Sequence, residues 1–406
     1  MTDENLPNAP APPLDGVHVL EVGVFMAAPF ATLQLADLGA DVIKVESLDG
    51  DPMRASGPFV NGESSPFLRL NRAKRSVALN LKSPDGRHAF LRLAAGADAV
   101  VENLRPGAMR ALGLSYDDVR AVNPRVIYAS ASGFGQDGPL ADRPGLDIMA
   151  QARGGLMSIT GAPGGPPAKV GVPVCDLVCG LYVALGIVAA LRERDRSGAG
   201  QYLDVSLLES AVSLAVWEAG RFFATGEVGQ PLGSAHQSQA PYQAVRSADG
   251  WVTLGAVTPK TWGALCVALG LERLHDDARF TTVSLRHAHR DELIPLIEGE
   301  TMKLTTAEAV ERLERVGVPC APIADFGAVF NDEHLTARNF FWDAPHRTAG
   351  RVRQLGSPLR LSRTPVHRGA AAPMLGEHTR EALREVGYAD GEIDALVATG
   401  AAAVVA

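Results

Sequence analysis

Asp176 is the residue whose type and position in this chain most directly suggest chemistry. It stands at the start of an uncharged run, Leu177 to Leu191, which predicts a largely buried helix. A carboxylate at the N-terminus of that helix would cap free backbone N–H groups and lie at the positive end of the helix dipole. This placement predicts a lowered pKa and an ionised carboxylate in a partly dry setting. Such a group is a competent nucleophile toward an activated acyl group, although a plain N-cap gives the same sequence pattern.

Cysteine and histidine offer weaker candidates. Cys175 and Cys179 flank Asp176, but neither has a histidine partner in the sequence, and cysteine is often buried as a small apolar residue. The four cysteines show neither a disulfide framework nor zinc-ligand spacing. The ten histidines also lack metal-ligand spacing, since His287 and His289 lie two apart and would not face each other on a helix. We therefore expect no metal site.

A basic cluster, Asn71-Arg-Ala-Lys-Arg-Ser, is the main positive feature of the N-terminal half, together with Lys82 and Arg105. These charges fall near predicted strand ends, where open α/β sheets bind ligands. Arginine and lysine together suit a phosphate-bearing ligand. A solvated charged surface gives the same pattern, and the residues alone do not separate the two interpretations.

Composition and charge restrict the classes of function. The 406-residue chain has 46% hydrophobic and 21% charged residues, as expected for a soluble enzyme with a sizeable core. Its net charge of −8 gives no support for nucleic-acid binding. The N-terminus carries acids where a signal peptide needs basic residues, and the run Leu177 to Leu191 is shorter than the roughly 20 residues of a membrane span. We expect a cytoplasmic soluble protein without a membrane or nucleic-acid partner.

Strand–helix–strand repetition dominates the first 130 residues. The predicted elements are a strand at 18–23, a helix at 29–38, strands at 41–46 and 76–82, a helix from 83 to 96, and strands at 98–103 and 126–130. Short apolar strands alternating with helices predict an α/β fold with an open, mostly parallel sheet covered on both faces. The first strand is not followed by G-x-G-x-x-G, so a standard dinucleotide-binding site is not predicted.

The pattern changes after Gly226. Before it we predict two long helices, at 176–196 and 203–224. After it we predict a loop at 227–243, a strand at 250–256 and three helical segments between there and 317. Short strands and two C-terminal helices then return to the first pattern. We therefore predict a large domain formed by 14–225 and 333–406, with a smaller α+β domain, 226–332, inserted in it.

Several stretches together resemble one protein family. They are the basic cluster and, in chain order, Leu14-Asp-Gly-Val-His-Val-Leu-Glu, Ala36-Asp-Leu-Gly-Ala-Asp-Val-Ile-Lys-Val-Glu, Val101-Glu-Asn-Leu-Arg-Pro-Gly, Asn123-Pro-Arg-Val-Ile, Gly133-Phe-Gly-Gln-Asp-Gly-Pro, Gly198-Ala-Gly-Gln-Tyr-Leu-Asp-Val-Ser and Leu375-Gly-Glu-His-Thr. Along nearly its whole length the chain is similar to the family III CoA-transferases, which include formyl-CoA and carnitine CoA-transferases. The resemblance implies a large Rossmann-like domain built from both chain ends, a small inserted domain and an interlocked homodimer. It also implies coenzyme A thioesters and carboxylic acids as substrates, with no permanently bound cofactor.

The resemblance also implies roles for single residues. Asp176 falls on the family's catalytic aspartate, which forms acyl-aspartyl and aspartyl-CoA intermediates. The segments that family members use to hold CoA match six residues here: Leu79, Leu81, Lys82, Asn103, Leu104 and Arg105. The loop Val24-Phe-Met-Ala-Ala-Pro matches one that often carries a glutamine near the thioester, and Met26 stands in its place. Where many members have a basic residue this chain has Ala111, next to Arg110.

The same superfamily contains α-methylacyl-CoA racemases, which carry a Gly-His-Asp triplet ahead of the aspartate. This chain has Gly145-Leu146-Asp147, and leucine cannot act as an acid or a base. We therefore predict CoA transfer from an acyl-CoA donor, such as succinyl-CoA or another short acyl-CoA, to a carboxylic acid through covalent aspartyl intermediates. A racemase or isomerase acting at the acyl-CoA α-carbon is the alternative.

One further segment bears on the substrate. The stretch 233–243, Gly-Ser-Ala-His-Gln-Ser-Gln-Ala-Pro-Tyr-Gln, resembles the dicarboxylate-acyl transferases of the family more than formyl-CoA transferase. His236, Gln237 and Gln239 are consistent with a polar acceptor pocket and equally with an ordinary loop.

Overall fold

Strands and helices alternate along the N-terminal part of the computed structural model, which describes residues 10–405. The elements up to residue 132 are β1 (His18–Val22), α1 (Ala27–Asp37), β2 (Asp41–Glu46), β3 (Phe59–Val60), β4 (Glu63–Ser64), α2 (Ser65–Leu70), β5 (Lys74–Leu79), α3 (Pro84–Ala95), β6 (Ala99–Glu102), α4 (Ala108–Ala111), α5 (Tyr116–Val122) and β7 (Ile127–Ser132). Three of the helices begin with a serine cap, as at Ser83, whose hydroxyl accepts a hydrogen bond from the backbone N–H of Gly86.

The rest of the chain contains more helix than strand. Its elements are α6 (Asp147–Arg153), α7 (Leu156–Ile159), α8 (Val174–Ser197), β8 (Gln201–Ser206), α9 (Leu207–Ser213), α10 (Val216–Thr225), β9 (Tyr242–Arg246), β10 (Trp251–Gly255), α11 (Pro259–Leu269), α12 (Val283–Ala288), α13 (Arg290–Thr301), α14 (Thr306–Arg315), β11 (Cys320–Pro322), α15 (Phe326–Phe330), α16 (Glu333–Ala337), β12 (Phe341–His346), β13 (Gly350–Leu355), α17 (Thr379–Glu385), α18 (Asp390–Ala398) and β14 (Ala402–Ala403).

The chain divides into two compact units. The first comprises the residues up to Leu156, Lys169–Gly220 and the residues from Leu335 onward, and the second comprises Met157–Ala168 and Arg221–His334. The second unit thus takes in a segment, Met157–Ala168, that lies outside the predicted insertion 226–332.

A seven-stranded sheet, in the order β14-β5-β2-β1-β6-β7-β8, forms the centre of the first unit. The six strands β5 to β8 in this order run parallel, and only the short C-terminal strand β14 is antiparallel. The register sets Val22 at the end of β1 opposite Glu102 at the end of β6. The predicted α/β fold with a mostly parallel sheet is confirmed.

Side chains alternate between the two faces of this sheet and form a separate core on each. On one face Val19 and Val42 pack against the apolar sides of α1 and α8. On the other face Leu20 and Val100 pack against α3, α5, α17 and α18. Burial on both faces accounts for the consecutive apolar residues in these short strands, such as Val19-Leu20 in β1 and Val100-Val101 in β6.

The predicted helix at 203–224 is wrong in its first part. Residues 201–206 form β8, which pairs in parallel with β7, and the helical remainder is split into α9 and α10. Leu203 and Val205 pack into the core beside α8, whereas Tyr202 and Asp204 point to the other face. This alternation has the two-residue period of a strand, which the longer helical pattern after it concealed.

Helix α8 is longer than the apolar run that predicted it, because it continues through the charged residues Arg192–Ser197 to a Gly198 cap with φ of 78°. At 24 residues it is long and apolar enough to cross a membrane by length and composition, and it is the one such helix in residues 10–405. One side of it packs along α1 and against β7 and β8.

The second unit has its own sheet and core. Strands β9, β10 and β11 are antiparallel, and α11, α13 and α14 cover them through a core that contains Trp262, Leu265 and Phe280. Four helices, α11 to α14, replace the three predicted helical segments, because the chain breaks between α12 and α13 at His289.

Candidate active site

Four chain segments reach the same edge of the large sheet. The segments after β1, β5 and β6 leave it at the carboxyl ends of parallel strands, and α8 begins there because it runs back to the start of the parallel strand β8. This edge is where open α/β sheets bind ligands. The four segments contain Met26, Lys82, Asn103 and Asp176 among the residues singled out from the sequence.

The start of α8 differs from the prediction. The helix begins at Val174 after Pro173, so Asp176 is its third residue and not its N-cap. The cap is supplied from another helix, because Oδ1 of Asp147 in α6 accepts a hydrogen bond of 2.8 Å from the backbone N–H of Cys175. Asp176 therefore lies in the first turn with its carboxylate free of any capping role.

The predicted lowering of the Asp176 pKa is wrong in direction. Burial and, secondarily, the neighbouring carboxylate of Asp147 raise the pKa of Asp176 to about 7. The helix dipole favours the ionised form, but removal of water from the carboxylate and repulsion from Asp147 outweigh it. Asp176 is a poorly solvated carboxyl group that titrates near neutral pH, which is a common property of catalytic acids and nucleophiles.

Asp147 itself is fixed by the same region. Its Oδ2 accepts a hydrogen bond of 2.7 Å from Nε2 of Gln151, whose Oε1 in turn accepts one of 2.9 Å from the backbone N–H of Val170. This chain of bonds joins α6 to the segment that leads into α8. The Asp147–Gln151 spacing of one helical turn is the signal for this contact in the sequence.

The two cysteines beside Asp176 are not nucleophiles. Both thiols are buried, and burial raises the pKa of Cys175 and of Cys179 to about 12, with the carboxylates of Asp147 and Asp176 adding to the effect at Cys175. A thiol with that pKa stays protonated at neutral pH and is therefore a weak nucleophile.

Most of the segment 71–76 is neither a phosphate site nor a solvated surface. Asn71, Arg72 and Lys74 are buried, Arg72 forms a two-pronged ion pair with Asp37, and Nζ of Lys74 lies 2.7 Å from Oε2 of Glu21. These partners lie 35 and 53 positions away in the sequence, which is why the local pattern did not reveal them. The charges of Arg72 and Lys74 are therefore paired in the interior, while Arg75 pairs with Asp41 and Glu385 nearer the surface.

Glu21 is the centre of a buried charge network. Lys44 contacts Oε1 of Glu21 at 2.6 Å and Oδ2 of Asp51 at 2.9 Å, while Lys74 contacts the second carboxylate oxygen of Glu21. Burial opposes ionisation of Glu21, but the two ammonium groups outweigh it and lower the pKa of Glu21 to about 2. Burial lowers the pKa of Lys74 to about 8 in spite of Glu21. We call this set, Glu21, Lys44, Asp51 and Lys74, the Glu21 network.

The Glu21 network reaches the loop after β1. Nζ of Lys44 donates a hydrogen bond of 2.8 Å to the carbonyl of Gly23, and Oδ1 of Asp51 accepts one of 3.3 Å from the N–H of Phe25. Phe25 has a φ of 57°, an uncommon conformation for a residue other than glycine. The side chain of Met26, where the resemblance leads one to expect glutamine, packs against the apolar cluster that contains Leu33 and Met53.

The six residues predicted to hold CoA differ in what they expose. Lys82 and Arg105 are exposed at the sheet edge and can reach a ligand. Leu79 lies in the core, and Leu81 and Leu104 pack against that core, so these three can offer a ligand mainly their backbone. The side chain of Asn103 is bonded within the protein, to Val24. Their role in CoA binding stays a prediction.

Glu102 is a further residue that sequence analysis did not single out. It ends β6, and its Oε2 accepts a hydrogen bond of 2.7 Å from the N–H of Leu104. Burial raises the pKa of Glu102 to about 7 although Ser130 and Leu104 donate hydrogen bonds to it. A carboxylate closing an otherwise apolar strand, directly before Asn103, was the available signal.

The loop at 233–243 lies in the second unit and is held in place by polar contacts. Arg221 donates a hydrogen bond of 3.0 Å to the carbonyl of Gln237, and the ring of His236 lies 5.0 Å from that of Tyr242. Nδ1 of His236 accepts a hydrogen bond from the N–H of Ser238. Among residues 10–405, no three histidine, cysteine or acidic side chains lie close enough together to hold a metal ion.

Comparison with known proteins identifies the family. Residues 14–379 match the sequence profile of CoA-transferase family III. The chain belongs to CoA-transferase family III. Like other family III CoA-transferases, it is an enzyme that acts on coenzyme A thioesters.

Individual relatives cover almost the whole of this family III chain. It is 38% identical over 391 residues to the succinyl-CoA:glutarate CoA-transferase of Mus musculus, covering 96% of this chain and 90% of the relative. It is 37% identical over 394 residues to the succinate–glutarate CoA-transferase of Agrobacterium fabrum, covering 95% and 98%. The crystal structure of a CaiB/BaiF family protein from Brucella suis superposes with a TM-score of 0.84 at 36% identity, covering 93% of this chain and 100% of that one.

Proposed function

We propose that this CoA-transferase moves CoA from succinyl-CoA to a short dicarboxylate such as glutarate, with Asp176 as the covalent nucleophile. The donor and acceptor are supported by the names of relatives that are 37–38% identical across nearly the whole chain. The observation that carries the role of Asp176 is its position, half-buried in the first turn of α8, at the edge of the sheet that also presents Lys82 and Arg105.

The proposed reaction proceeds through alternating anhydrides and thioesters. An Oδ atom of Asp176 attacks the thioester carbonyl carbon of succinyl-CoA, the carbon–sulfur bond breaks, and CoA thiolate leaves a succinyl-aspartyl anhydride. The thiolate then attacks the aspartyl carbonyl carbon, which releases succinate and forms an aspartyl-CoA thioester. The acceptor carboxylate reverses the two steps and leaves with CoA. Each intermediate is readily hydrolysed, so the site must exclude water.

The environment of Asp176 fits this role. The carboxylate must be ionised to attack, and with a pKa of about 7 it is largely ionised above neutral pH. Poor solvation makes an ionised carboxylate more reactive than it is in bulk water, since less water must be displaced before attack. Asp147 supports the same function by keeping the start of α8 in place while repelling the charge on Asp176.

We propose that Lys82 and Arg105 bind the phosphates of CoA. Both side chains are exposed, and they follow β5 and β6 on either side of the strands β2 and β1. Charge-assisted bonds to phosphate are among the stronger contacts available to an exposed cation. We also propose that the second unit is the smaller inserted domain.

A homodimer is part of this proposal. Helix α8 carries Leu181, Leu185 and Val188 at the spacing of one helical face, and they are 49, 64 and 36% exposed. Val216 and Trp217 at the start of α10 are 77 and 50% exposed. Soluble proteins rarely leave such an apolar face uncovered, so we propose that a second copy covers it. Light scattering should give the mass of a dimer, and Leu185→Glu should shift it toward a monomer; a monomeric wild type would contradict the proposal.

Covalent trapping tests the nucleophile. Enzyme incubated with succinyl-CoA and then treated with hydroxylamine or borohydride should be modified at Asp176, as located by peptide mass spectrometry. Asp176→Ala should lose transfer to glutarate, whereas Asp195→Ala, an exposed acid on the same helix, should retain it. An unmodified Asp176 peptide during active turnover, or near-wild-type transfer by Asp176→Ala, would refute the assignment.

The racemase alternative has a separate test. Leu146 is 65% exposed and offers no acid or base where a racemase has histidine. Substrate turned over in deuterated water should therefore gain no deuterium at its α-carbon. Rapid α-exchange without modification of Asp176 would favour the racemase.

A further inference from the structure

The side-chain amide of Asn103 is hydrogen-bonded to the protein backbone. Its Oδ1 accepts a hydrogen bond of 2.9 Å from the N–H of Val24, and its Nδ2 donates one of 2.9 Å to the carbonyl of the same residue. The last backbone pairing between β1 and β6 joins Val22 to Glu102. The amide of Asn103 thus continues the sheet by one step with a side chain in place of a strand.

The loop that Asn103 holds contains a strained residue and makes two further polar contacts. Phe25 follows with a φ of 57°, and a residue other than glycine persists there only when its surroundings impose that conformation. Its N–H reaches Asp51 at 3.3 Å, and Lys44 holds the carbonyl of Gly23 at 2.8 Å. The bonds of Asn103 to Val24 lie between these two contacts and link the loop directly to the end of β6.

This loop leads directly into the helix that packs on the start of α8. A Cβ added to Gly180 would lie 2.8 Å from the carbonyl oxygen of Ala27, the first residue of α1, and 3.2 Å from the nitrogen of Ala31. The backbones of α1 and α8 are therefore in direct contact one turn after Asp176. A shift of the loop moves the first turn of α1, and with it the turn that carries Asp176.

We propose that Asn103 is a positioning residue for transfer, which holds the loop 23–26 so that Asp176 stays aligned with the CoA thioester. This rests on the proposed function of Asp176. It also separates the side chain of Asn103 from CoA binding: the segment 103–105 can still present backbone groups and Arg105 to CoA, while the amide of Asn103 acts on Val24. Its loss should therefore affect the chemical step more than the affinity for CoA.

The test compares two substitutions with a matched control. Asn103→Ala removes both bonds to Val24, and Asn103→Asp keeps the acceptor but sets a carboxylate oxygen against the Val24 carbonyl. Asn123→Ala is the control, since Nδ2 of Asn123 likewise makes two internal hydrogen bonds, of 2.9 and 2.7 Å, to the carbonyls of Ala94 and Ala97. The measurements are kcat and KM for succinyl-CoA, the equilibrium Kd for free CoA, and the Tm.

Both Asn103 variants should lower kcat by about 10–100-fold, as expected for a small misplacement of reacting groups, with the Kd for CoA within about twofold of wild type. The Asn103 variants and Asn123→Ala should all lower the Tm, but Asn123→Ala, which loses three side-chain hydrogen bonds, should keep kcat within about twofold of wild type. A tenfold rise in the Kd for CoA with unchanged kcat would show instead that the Asn103 amide contacts CoA. Unchanged kcat and Kd in both variants, or an equal loss of kcat in Asn123→Ala, would also overturn the proposal.

Failure of the proposed function would look different. If Asp176 of the wild type is not labelled during turnover, the aspartyl mechanism is wrong whatever the Asn103 variants do. If Asp176 is labelled in the wild type and Asn103→Asp is labelled at the same rate, only the positioning role of Asn103 is wrong.

Discussion

Replacing Asp147 by asparagine should move the pH dependence of transfer to lower pH. In the wild type, kcat/KM should rise with pH as Asp176 ionises, with a midpoint near pH 7 because the pKa of Asp176 is about 7. About a tenth of the carboxylate is ionised one pH unit below the midpoint, so activity should fall about tenfold per pH unit below it. Asp147→Asn removes the negative charge that contributes to this raised pKa, and the midpoint should fall.

The size of the change follows from the order of the two causes. The pKa of Asp176 is raised from 3.8 to about 7, and burial contributes more than Asp147. Asp147 therefore accounts for less than half of a rise of about 3 pH units, so the midpoint should fall by at most about 1.5 pH units. It should stay above about pH 5, because Asp147→Asn leaves the burial of Asp176 unchanged.

The substitution is expected to preserve the fold at a small cost. The side-chain oxygen of an asparagine still accepts from the N–H of Cys175, but its NH2 group faces Nε2 of Gln151, a second donor. If Gln151 turns its amide to compensate, it loses the bond from the N–H of Val170. Either arrangement lacks one hydrogen bond, worth about 1 kcal/mol.

The assay is the pH profile of kcat/KM for succinyl-CoA between pH 5 and 9, with the Tm as a check on folding. Asp195→Asn is the matched control, since Asp195 carries the same charge, is exposed, and lies on the same helix about 28 Å from Asp176 at 1.5 Å per residue. That distance exceeds the Debye length of about 8–10 Å, so its profile should match the wild type. An unmoved midpoint in folded Asp147→Asn, or an equal move in Asp195→Asn, would refute the reasoning.

Three further predictions concern CoA binding, stability and packing. Lys82→Ala and Arg105→Ala should each raise the Kd for CoA by about tenfold or more, since a charge-assisted contact is worth about 1.5–3 kcal/mol, while KM for the free acid changes little; binding titrations measure this. Asp176→Asn should stabilise the fold at pH 8, where the wild type holds a buried ionised carboxylate. The free energy of unfolding should rise by up to about 4 kcal/mol, and the Tm with it. That gain should shrink at pH 5, where Asp176 is protonated in the folded protein. Gly180→Ala should lower the free energy of unfolding by about 1–3 kcal/mol, and the Tm with it, because its Cβ would meet the Ala27 carbonyl at 2.8 Å.

Each of these has an outcome that contradicts it. Unchanged CoA affinity in both cation variants would move the phosphate site elsewhere. A lower Tm for Asp176→Asn at pH 8 would mean that the ionised carboxylate is well stabilised in the fold. For the packing prediction, Gly299→Ala is the control: it lies in α13 with open space around the added Cβ, so it should raise the Tm slightly while Gly180→Ala lowers it.

The sheet was predictable because its signal is local. Apart from the edge strand β8, the parallel strands are largely buried on both faces and contain short apolar stretches, and Asp41–Glu46 was predicted with its observed bounds. The strand β8 was missed because its two-residue alternation is only six residues long and merges into the helical pattern of α9. Local sequence does not show which of two adjoining periodicities the sheet will select.

The position of Asp176 at the start of a helix was predictable from the sequence, and the electrostatics around it were not. Asp176 was recognised by its place before an apolar run, and it does lie in the first turn of that helix. The direction in which its pKa is shifted depends on burial and on Asp147. Asp147 lies in a different helix, and only the tertiary fold brings it close. The basic residues Arg72 and Lys74 were misinterpreted for the same reason, since Asp37 and Glu21 reach them through the packing of β1, α1 and β5.

The Glu21 network has a consequence for how this sequence can change over evolutionary time. Two lysines share one carboxylate in a fully buried setting, so loss of Glu21 alone leaves two ammonium groups without their shared partner, and loss of Lys74 alone removes one of the two that offset the burial of Glu21. Breaking a buried ion pair by removing one partner costs about 3–5 kcal/mol, a large part of the stability of a typical domain. Single substitutions that break these pairs are therefore strongly destabilising, whereas a concerted exchange of the whole set for well-packed apolar residues need not be. During evolution the residues of the Glu21 network can therefore be replaced only through several coupled substitutions. Exposed positions such as Leu146 can be substituted one at a time.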